Sequence, residues 1–175
     1  MHDRLVSGAA GGYRMHVARY TFTKHVEAPV DVVFDLWTDL DRMCEWVGGV
    51  TKVTDVGGPR GVTGTRYTVW FGGMKSPTEV IDAERPVRLT TSFGNFLLRG
   101  RNIATFQPDG SGTLLTQTFE TEGVVPAIMA RLFATGSYRG SFRGELDAFA
   151  ALAEREAPQR DAAERDGAPR ANRPS

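Results

Sequence analysis

The sequence has few of the residues on which most metal sites and nucleophilic enzymes depend. Cys44 is the only cysteine among 175 residues, which excludes an internal disulfide and any site built from several thiolates. The three histidines, His2, His16 and His25, are scattered along the N-terminal part of the chain. The chain therefore has too few suitably placed histidines for a histidine metal site or a catalytic triad, and we expect no cofactor. The lone cysteine also fits a reducing, cytoplasmic setting.

The chain also lacks an excess of either charge and any long apolar run. Basic and acidic residues number 21 each, so composition does not favour nucleic acid or an acidic membrane face as a partner. No stretch approaches the roughly 18 to 20 apolar residues of a membrane span, and residues 1–14 lack the apolar centre of a secretory signal. A chain of 175 residues is long enough for one domain with a sizeable core.

Composition divides the chain into one ordered domain between two irregular ends. Residues 1–14 are rich in glycine and alanine without a repeat, and residues 157–175 contain no large apolar side chain. Segments of this kind bury too little apolar surface to fold, so we predict a disordered leader and a disordered tail. The domain is expected to span residues 15–156.

Within that domain the apolar pattern changes from strand to helix, back to strand, and again to helix. Residues 17–27 alternate between apolar and polar, and residues 31–46 carry the apolar load of two short helices. Six strand-length segments follow between turn signals from Val50 to about residue 122. Six strands without an intervening helix predict an antiparallel meander. The final segment, Pro126 to Glu156, has the pattern of a long helix.

That final helix carries an apolar stripe with a polar centre. Thr135 and Arg139 lie on the stripe by helical phase. Its apolar members are Ile128, Leu132, Phe142, Leu146 and Phe149. A guanidinium there needs an acid, a ligand oxygen or water, unless it extends past its neighbours into solvent. Gly136, Gly140 and Gly144 flank the stripe, which favours close approach of another helix or subunit, or else a kinked helix.

One stretch near the start of the domain, HVEAPVDVVFDLWTDLDRMCEWVGGV, combines an Ala-Pro step, a valine-aromatic pair, an aspartate and a later tryptophan. These residues are Val26, Ala28, Pro29, Val33, Phe34, Asp39 and Trp46. The stretch resembles the opening of the SRPBCC superfamily, which includes START lipid-transfer domains, birch-pollen-allergen-like proteins and aromatic polyketide cyclase/dehydrases. Gly64, the ERPVRL corner at residues 84–89 and the hairpin at residues 106–120 are similar too, so the resemblance covers about residues 17–156.

This resemblance implies an α+β fold of the helix-grip type. A curved, seven-stranded antiparallel sheet with two short helices is expected to wrap around the long C-terminal helix, leaving a cavity for a hydrophobic small molecule between sheet and helix. The resemblance is specific for the fold rather than for the function, because the matching positions build the scaffold in proteins of very different activity.

Strand and helix phase point a set of aromatic and polar side chains toward that cavity. Its polar members are Lys24, Thr91, Asn102, Gln117, Thr135 and Arg139. Its aromatic members are Phe22, Trp37, Trp46, Tyr67, Phe71, Phe93, Phe106, Phe119 and Phe142. Neutral polar groups can orient a ligand carbonyl or hydroxyl, and aromatic rings suit a flat molecule. Most of the rings are equally compatible with an ordinary core, and Lys24 with an escape to solvent at the end of its strand.

Three functions remain open on the sequence. The first is non-covalent binding of an aromatic, polyketide or lipid-like molecule, since no histidine pair, nucleophile motif or phosphate loop is present. The second is a polyketide cyclase/dehydrase-like enzyme in which, by resemblance, Arg139, Tyr67 and Tyr20 polarise carbonyls. Against it, the strand SPTEVIDAE lacks the Trp-x-Ser-His-Arg-like pattern of the aromatic cyclases. The third is a stress-response or ubiquinone-binding interaction module.

The expected partner in each of the first two cases is a hydrophobic small molecule, with no nucleic acid and no membrane span. A homodimer is a further alternative, because Trp70 and Arg66 face outward by strand phase and residues 96–98 are apolar in a turn-like stretch.

Overall fold

The computed structural model describes residues 18–94, 99–122 and 137–167, with side chains described between 19 and 160 apart from those at 95–98, 122–140 and 159. Its strands are β1 (Ala18–Val26), β2 (Val50–Gly57), β3 (Arg66–Phe71), β4 (Met74–Glu84), β5 (Arg88–Gly94), β6 (Arg99–Asp109) and β7 (Gly112–Glu122). They form one antiparallel sheet in the order β1-β7-β6-β5-β4-β3-β2. The predicted six-strand meander is therefore confirmed, and β1 completes the sheet beside β7.

Two short helices separate β1 from β2. Helix α1 is Val30–Thr38, and a 3₁₀ helix follows at Leu40–Glu45. The Asp39 side chain caps the 3₁₀ helix by accepting a hydrogen bond from the Asp41 backbone N–H at 3.2 Å. The long helix α2 is Ser137–Gly167.

Helix α2 continues past residue 156, where the disordered tail was expected to begin. Ala157 is buried, and Arg160 donates to Asp35 of α1 at 2.9 Å. The residues that follow are rich in alanine, glutamate and arginine, which favour helix even without large apolar groups. The lack of large apolar side chains after residue 156 therefore did not predict where helix α2 ends.

One face of the sheet, the inner face, is turned toward α2. Phe22 and Lys24 of β1 contact α2. Gln117, Ala104 and Leu89 lie side by side with Phe22 on successive strands, so their side chains are on the same face. Val26, Leu115 and Phe106 on this face are fully buried. The alternation of apolar and polar residues in β6 and β7 therefore has the predicted phase, as period-two side-chain direction requires.

The centre of the core is a cluster of aromatic rings between the short helices, the sheet and α2. Trp37 has its ring centroid 4.7 Å from that of Trp46, 5.0 Å from that of Phe149 and 5.9 Å from that of Phe106. Phe34 meets Phe106 edge to face at 5.3 Å. These are favourable aromatic geometries, and the large aromatic load of the two short helices is explained by this packing.

An ionic clamp fixes the 3₁₀ helix to α2. Arg42 donates to Glu45 on its own helix and to Glu156 on α2. Glu156 is the more buried of the two acids, with its side chain 18% exposed. A half-buried arginine that bridges two carboxylates holds separate elements together more firmly than an exposed pair does.

Candidate ligand site

A row of four phenylalanine rings follows the inner face where α2 begins. Phe93 stacks on Phe119 with centroids 4.8 Å apart, Phe119 lies 5.3 Å from Phe142, and Phe142 stacks on Phe22 at 5.4 Å. All four side chains are only half-buried although they face the interior side of the sheet. The rings of Phe22, Phe93 and Phe119 in this aromatic row are therefore only partly covered.

A glycine allows the row to reach across the sheet. Gly100 of β6 is the cross-strand partner of Phe93; a Cβ atom at Gly100 would lie 2.5 Å from Phe93 Cζ and closer still to the backbone oxygen of Glu120. Real Cβ contacts are never so short. The absence of a side chain at Gly100 thus lets the Phe93 ring lie over β6 and stack on Phe119.

Three polar side chains lie beside the aromatic row. Asn102 pairs with Thr91 on one side and with Phe119 on the other. Gln117 and Thr91 are buried. The carbonyl oxygen of Asn102 is buried and has no hydrogen-bond partner among the described residues. Buried polar atoms in native proteins are almost always paired, so this unpaired oxygen beside the aromatic row is a candidate for a hydrogen bond from a ligand.

The structure divides the predicted site residues into two groups. Phe22, Phe93, Phe119 and Phe142 form the aromatic row, and Thr91, Asn102 and Gln117 surround it. Trp37, Trp46 and Phe106 instead belong to the aromatic core, where all three are buried. The indole N–H of Trp46 is nevertheless without a hydrogen-bond acceptor in the described part of the chain.

Two residues predicted to line the cavity have other surroundings in the structure. Lys24 has the inward phase, but its Nζ donates to Asp147 of α2 at 2.6 Å, so its charge fastens β1 to the helix. Phe71 also has the inward phase, yet it stands at the last position of β3, beyond the region that the core covers, and is exposed.

The residues predicted to polarise a carbonyl differ in their burial and in whether the structure describes them. Tyr67 is buried on the inner face, and this burial raises the pKa of its phenol above the usual range, so the hydroxyl stays neutral. Tyr20 is half-buried on the inner side of β1. Thr135, Ile128 and Leu132 lie outside the described residues, as does the side chain of Arg139. The polar centre of the helix stripe therefore stays a prediction.

Glu145 was missed by sequence reasoning. Its Oε1 accepts a hydrogen bond from the Gly48 backbone N–H at 3.2 Å and one from Ser141 Oγ at 3.5 Å. Burial raises the pKa of Glu145 to about 7, and the two hydrogen bonds lower it by less. A carboxyl group of this kind gains or loses a proton near neutral pH. Its place one turn before Phe149, on the edge of the apolar stripe, was the available signal.

A groove of about 740 Å³ is lined mainly by residues with the phase of the outer face, together with Tyr67, Thr78 and Phe93 of the inner-face phase. Neighbouring side chains along one row of the sheet line it, namely Arg66, Glu79, Ser92, Arg101 and Glu120. Arg66 is paired with Glu79 at 3.2 Å. The charged part of this lining does not suit a hydrophobic molecule, whereas Phe93 belongs both to the groove and to the aromatic row.

Neither a metal site nor a membrane helix is found in residues 18–94, 99–122 and 137–167. No group of three histidine, cysteine or acidic side chains there is arranged to hold a metal ion. No helix there is both long and apolar enough to cross a bilayer.

Residues 17–154 match the family model described as polyketide cyclase/dehydrase and lipid transport. The match spans all seven strands, the short helices and most of α2. The chain belongs to this family. The resemblance seen in the opening segment is thereby confirmed, and the arrangement of strands around a long C-terminal helix is the helix-grip fold that it implied.

Solved structures of several other proteins share the fold. The di-domain ARO/CYC StfQ of the steffimycin biosynthetic pathway is 14% identical with a TM-score of 0.64, covering 81% of this chain and 52% of that chain. A point mutant of norcoclaurine synthase from Thalictrum flavum in complex with a transition-state analogue is 14% identical with a TM-score of 0.62, covering 81% and 97%. Ara h 8.0201 is 11% identical with a TM-score of 0.59, covering 78% and 97%.

At these identities the similarity establishes the architecture and leaves the activity open. The chain spans about half the length of StfQ, which carries two domains. None of the curated proteins is similar enough in sequence to match this chain.

Proposed function

We propose that this protein binds a hydrophobic small molecule, aromatic, polyketide or lipid-like, between the inner face of the sheet and α2. The observation that carries this proposal is the aromatic row, whose four rings face inward and remain half-buried. Flat aromatic ligands stack favourably on such rings. The family match supports a site of this general kind. A cytoplasmic location, inferred from the single cysteine, belongs to the same proposal.

The unpaired oxygen of Asn102 favours a ligand that carries a hydrogen-bond donor. Asn102 Oδ1 is an acceptor, so its natural complement is a hydroxyl or amine hydrogen on the ligand. Asn102 is the cross-strand partner of Phe119, which places the acceptor beside the aromatic row. A phenol or a hydroxylated polycyclic ring would satisfy both features, whereas a plain hydrocarbon would leave the oxygen unpaired.

The test compares two kinds of ligand on one pair of variants. Phe119→Leu keeps an apolar side chain but removes a ring from the middle of the row, and Thr116→Val changes the outer face of the same strand. We expect Phe119→Leu to weaken binding of a hydroxylated anthraquinone by roughly two- to tenfold, the usual range for an aromatic contact beyond its buried area. Binding of a saturated fatty acid should change less. Titration calorimetry and thermal shift measure both.

The proposal fails if the wild-type protein shows neither heat of binding nor a thermal shift with a panel of lipids, polyketides and aromatics. It also fails if Phe119→Leu and Thr116→Val bind the anthraquinone equally well, because the aromatic row would then have no part in recognition.

A second candidate is a polyketide cyclase/dehydrase-like enzyme, and Glu145 is the observation that favours it. A half-buried carboxyl group with a pKa of about 7 is suited to removing or supplying a proton beside a ketone. Such a step moves the proton from carbon to the carboxylate and leaves an enolate, which can attack a second carbonyl. Arg139, Tyr67 and Tyr20 remain the predicted groups for polarising the carbonyl oxygens.

Turnover of a poly-β-ketone substrate tests this second candidate. If Glu145 is the base, Glu145→Gln should lower the rate by about a hundredfold or more, while the neighbouring exposed carboxylate variant Asp147→Asn should not. Full turnover by Arg139→Ala would remove the role predicted for that arginine. A wild-type protein that binds the substrate without converting it would leave the carrier as the function.

A further inference from the structure

The hairpin between β3 and β4 ends in an exposed apolar pair. Phe71 and Met74 are cross-strand partners on either side of Gly72 and Gly73, and their side chains are 37% and 52% exposed. Gly72 has a φ of 58°, which a two-residue turn requires and glycine adopts without strain. Since the turn residues have no side chains to cover them, these two large apolar groups stand side by side in solvent.

A basic and aromatic row lies behind this pair, on the outer face of the same hairpin. Trp70 stands between Lys52 of β2 and Lys75 of β4, its partners in register. The two ammonium groups lie 4.5 Å and 4.7 Å from the centroid of the indole ring. Trp70 Nε1 donates to Thr54 Oγ1 at 2.9 Å, which fixes the plane of the ring. Cation–π contacts hold both lysines at the end of the sheet.

The charge near this hairpin is positive, although the whole chain is neutral. Lys52 and Lys75 are both exposed. The acid that attracts them is Asp55, whose pKa is lowered first by hydrogen bonds from Thr54 and Thr68 and less by the lysines. Two cations thus face one anion that already has partners. Because electrostatic attraction to a surface acts over about 10 Å, these two lysines can attract an anionic surface although the net charge of the chain is zero.

We propose that the hairpin tip, residues 70–75, docks on an anionic lipid surface. In this arrangement Phe71 and Met74 insert at the boundary of headgroups and acyl chains, and Lys52 and Lys75 meet the lipid phosphates. The apolar side chains at the apex of the hairpin suit the acyl chains of the lipids. The lysines and the indole ring behind them suit the level of the headgroups. The docking goes beyond the proposed ligand binding and does not depend on it.

The hairpin tip lies at the same end of the sheet as the aromatic row. Phe71 lies beside the turn at Gly48 and Gly49, where a Cβ atom on Gly49 would be 3.9 Å from Phe71 Cδ1. Gly48 is in turn held by Glu145 of α2. Docking would therefore bring the end of the sheet where α2 begins, with the aromatic row, toward the membrane. Two inserted side chains give reversible rather than permanent attachment.

Sedimentation with sucrose-loaded vesicles tests the docking. The full chain should sediment with phosphatidylcholine vesicles containing 30% phosphatidylglycerol and much less with pure phosphatidylcholine. Lys52→Gln with Lys75→Gln should lower partitioning onto the anionic vesicles at least fivefold, since one basic residue near such a surface contributes about a factor of five. Phe71→Ser with Met74→Ser should lower it about tenfold or more. Added salt should weaken the wild type but change the lysine variant less.

A matched control uses two other exposed apolar residues. Ile81 and Val87 are 39% and 47% exposed and lie away from the hairpin tip. Ile81→Ser with Val87→Ser removes similar apolar surface and should bind vesicles like the wild type. The proposal is overturned if the wild type does not sediment with anionic vesicles, or if the tip variant and this control bind equally. It is also overturned if the tip variant changes only the oligomeric state, seen by light scattering, because the tip would then contact a second copy.

Discussion

Glu145→Gln should make this protein more stable at pH 8 and leave its stability nearly unchanged at pH 4.5. Burial raises the pKa of Glu145 from 4.5 to about 7, so the folded protein holds the proton more tightly than the unfolded chain does. The contribution of Glu145 to stability therefore falls as the pH rises from about 4.5 to about 7 and then levels off. Glutamine keeps the side-chain oxygen that Gly48 N–H donates to and removes the charge that burial disfavours.

The size of the effect follows from the shift and from the exposure of the group. The full difference between 4.5 and about 7 corresponds to an upper limit of about 3 kcal/mol. Glu145 is only half-buried, so solvent screens part of this free energy, and we expect about 1 to 2 kcal/mol at pH 8.

Urea unfolding followed by tryptophan fluorescence at several pH values measures this difference. Asp147→Asn is the matched control, because Asp147 lies on the same helix with its side chain 63% exposed. Its difference from the wild type should vary little between pH 5 and pH 8. The reasoning is refuted if Glu145→Gln is no more stable than the wild type at pH 8, or if its difference from the wild type is the same at both ends of the range.

Two further substitutions test the aromatic row and its polar neighbour. Gly100→Ala should destabilise the protein by about 1 to 3 kcal/mol, because the new Cβ would collide with the backbone oxygen of Glu120 and with the Phe93 ring. In thermal melting, adding Phe93→Leu should give little recovery, since the backbone clash remains. Gly144→Ala should not destabilise, because a Cβ there meets nothing within 4 Å among the described residues. Asn102→Leu should raise the unfolding free energy by about 1 kcal/mol, since it removes an unpaired buried oxygen, and should weaken binding of a hydroxylated ligand; an unchanged affinity would show that Asn102 makes no ligand contact.

The side-chain direction along each strand was the most predictable part of the site. Alternation alone placed Phe22, Phe93, Asn102 and Phe119 on the inner face, because register in a half-buried sheet fixes every second residue. Phase does not say where the covered region ends, however. Phe71 has the right phase and lies outside the core because β3 ends there.

The contacts between distant segments were not predictable from one sequence. Lys24 donates a hydrogen bond to Asp147, and Gly48 N–H donates one to Glu145, between residues about a hundred positions apart in the sequence. Neither pairing follows from local periodicity, since it depends on where α2 lies on the sheet. The glycine row of α2, which the sequence links to close approach of another helix or subunit or to a kinked helix, stays a prediction; a Cβ atom on Gly144 would meet nothing within 4 Å among the described residues of this chain.

The two candidate functions make opposite demands on Glu145. For a carrier, a half-buried carboxylate at neutral pH only lowers stability, and its replacement by glutamine should leave ligand binding intact. For an enzyme, the same unfavourable burial is what brings the pKa of the group to the working pH, so stability is given up for reactivity. A Glu145→Gln protein that gains stability and keeps its affinity therefore favours the carrier, whereas one that gains stability and loses turnover favours the enzyme.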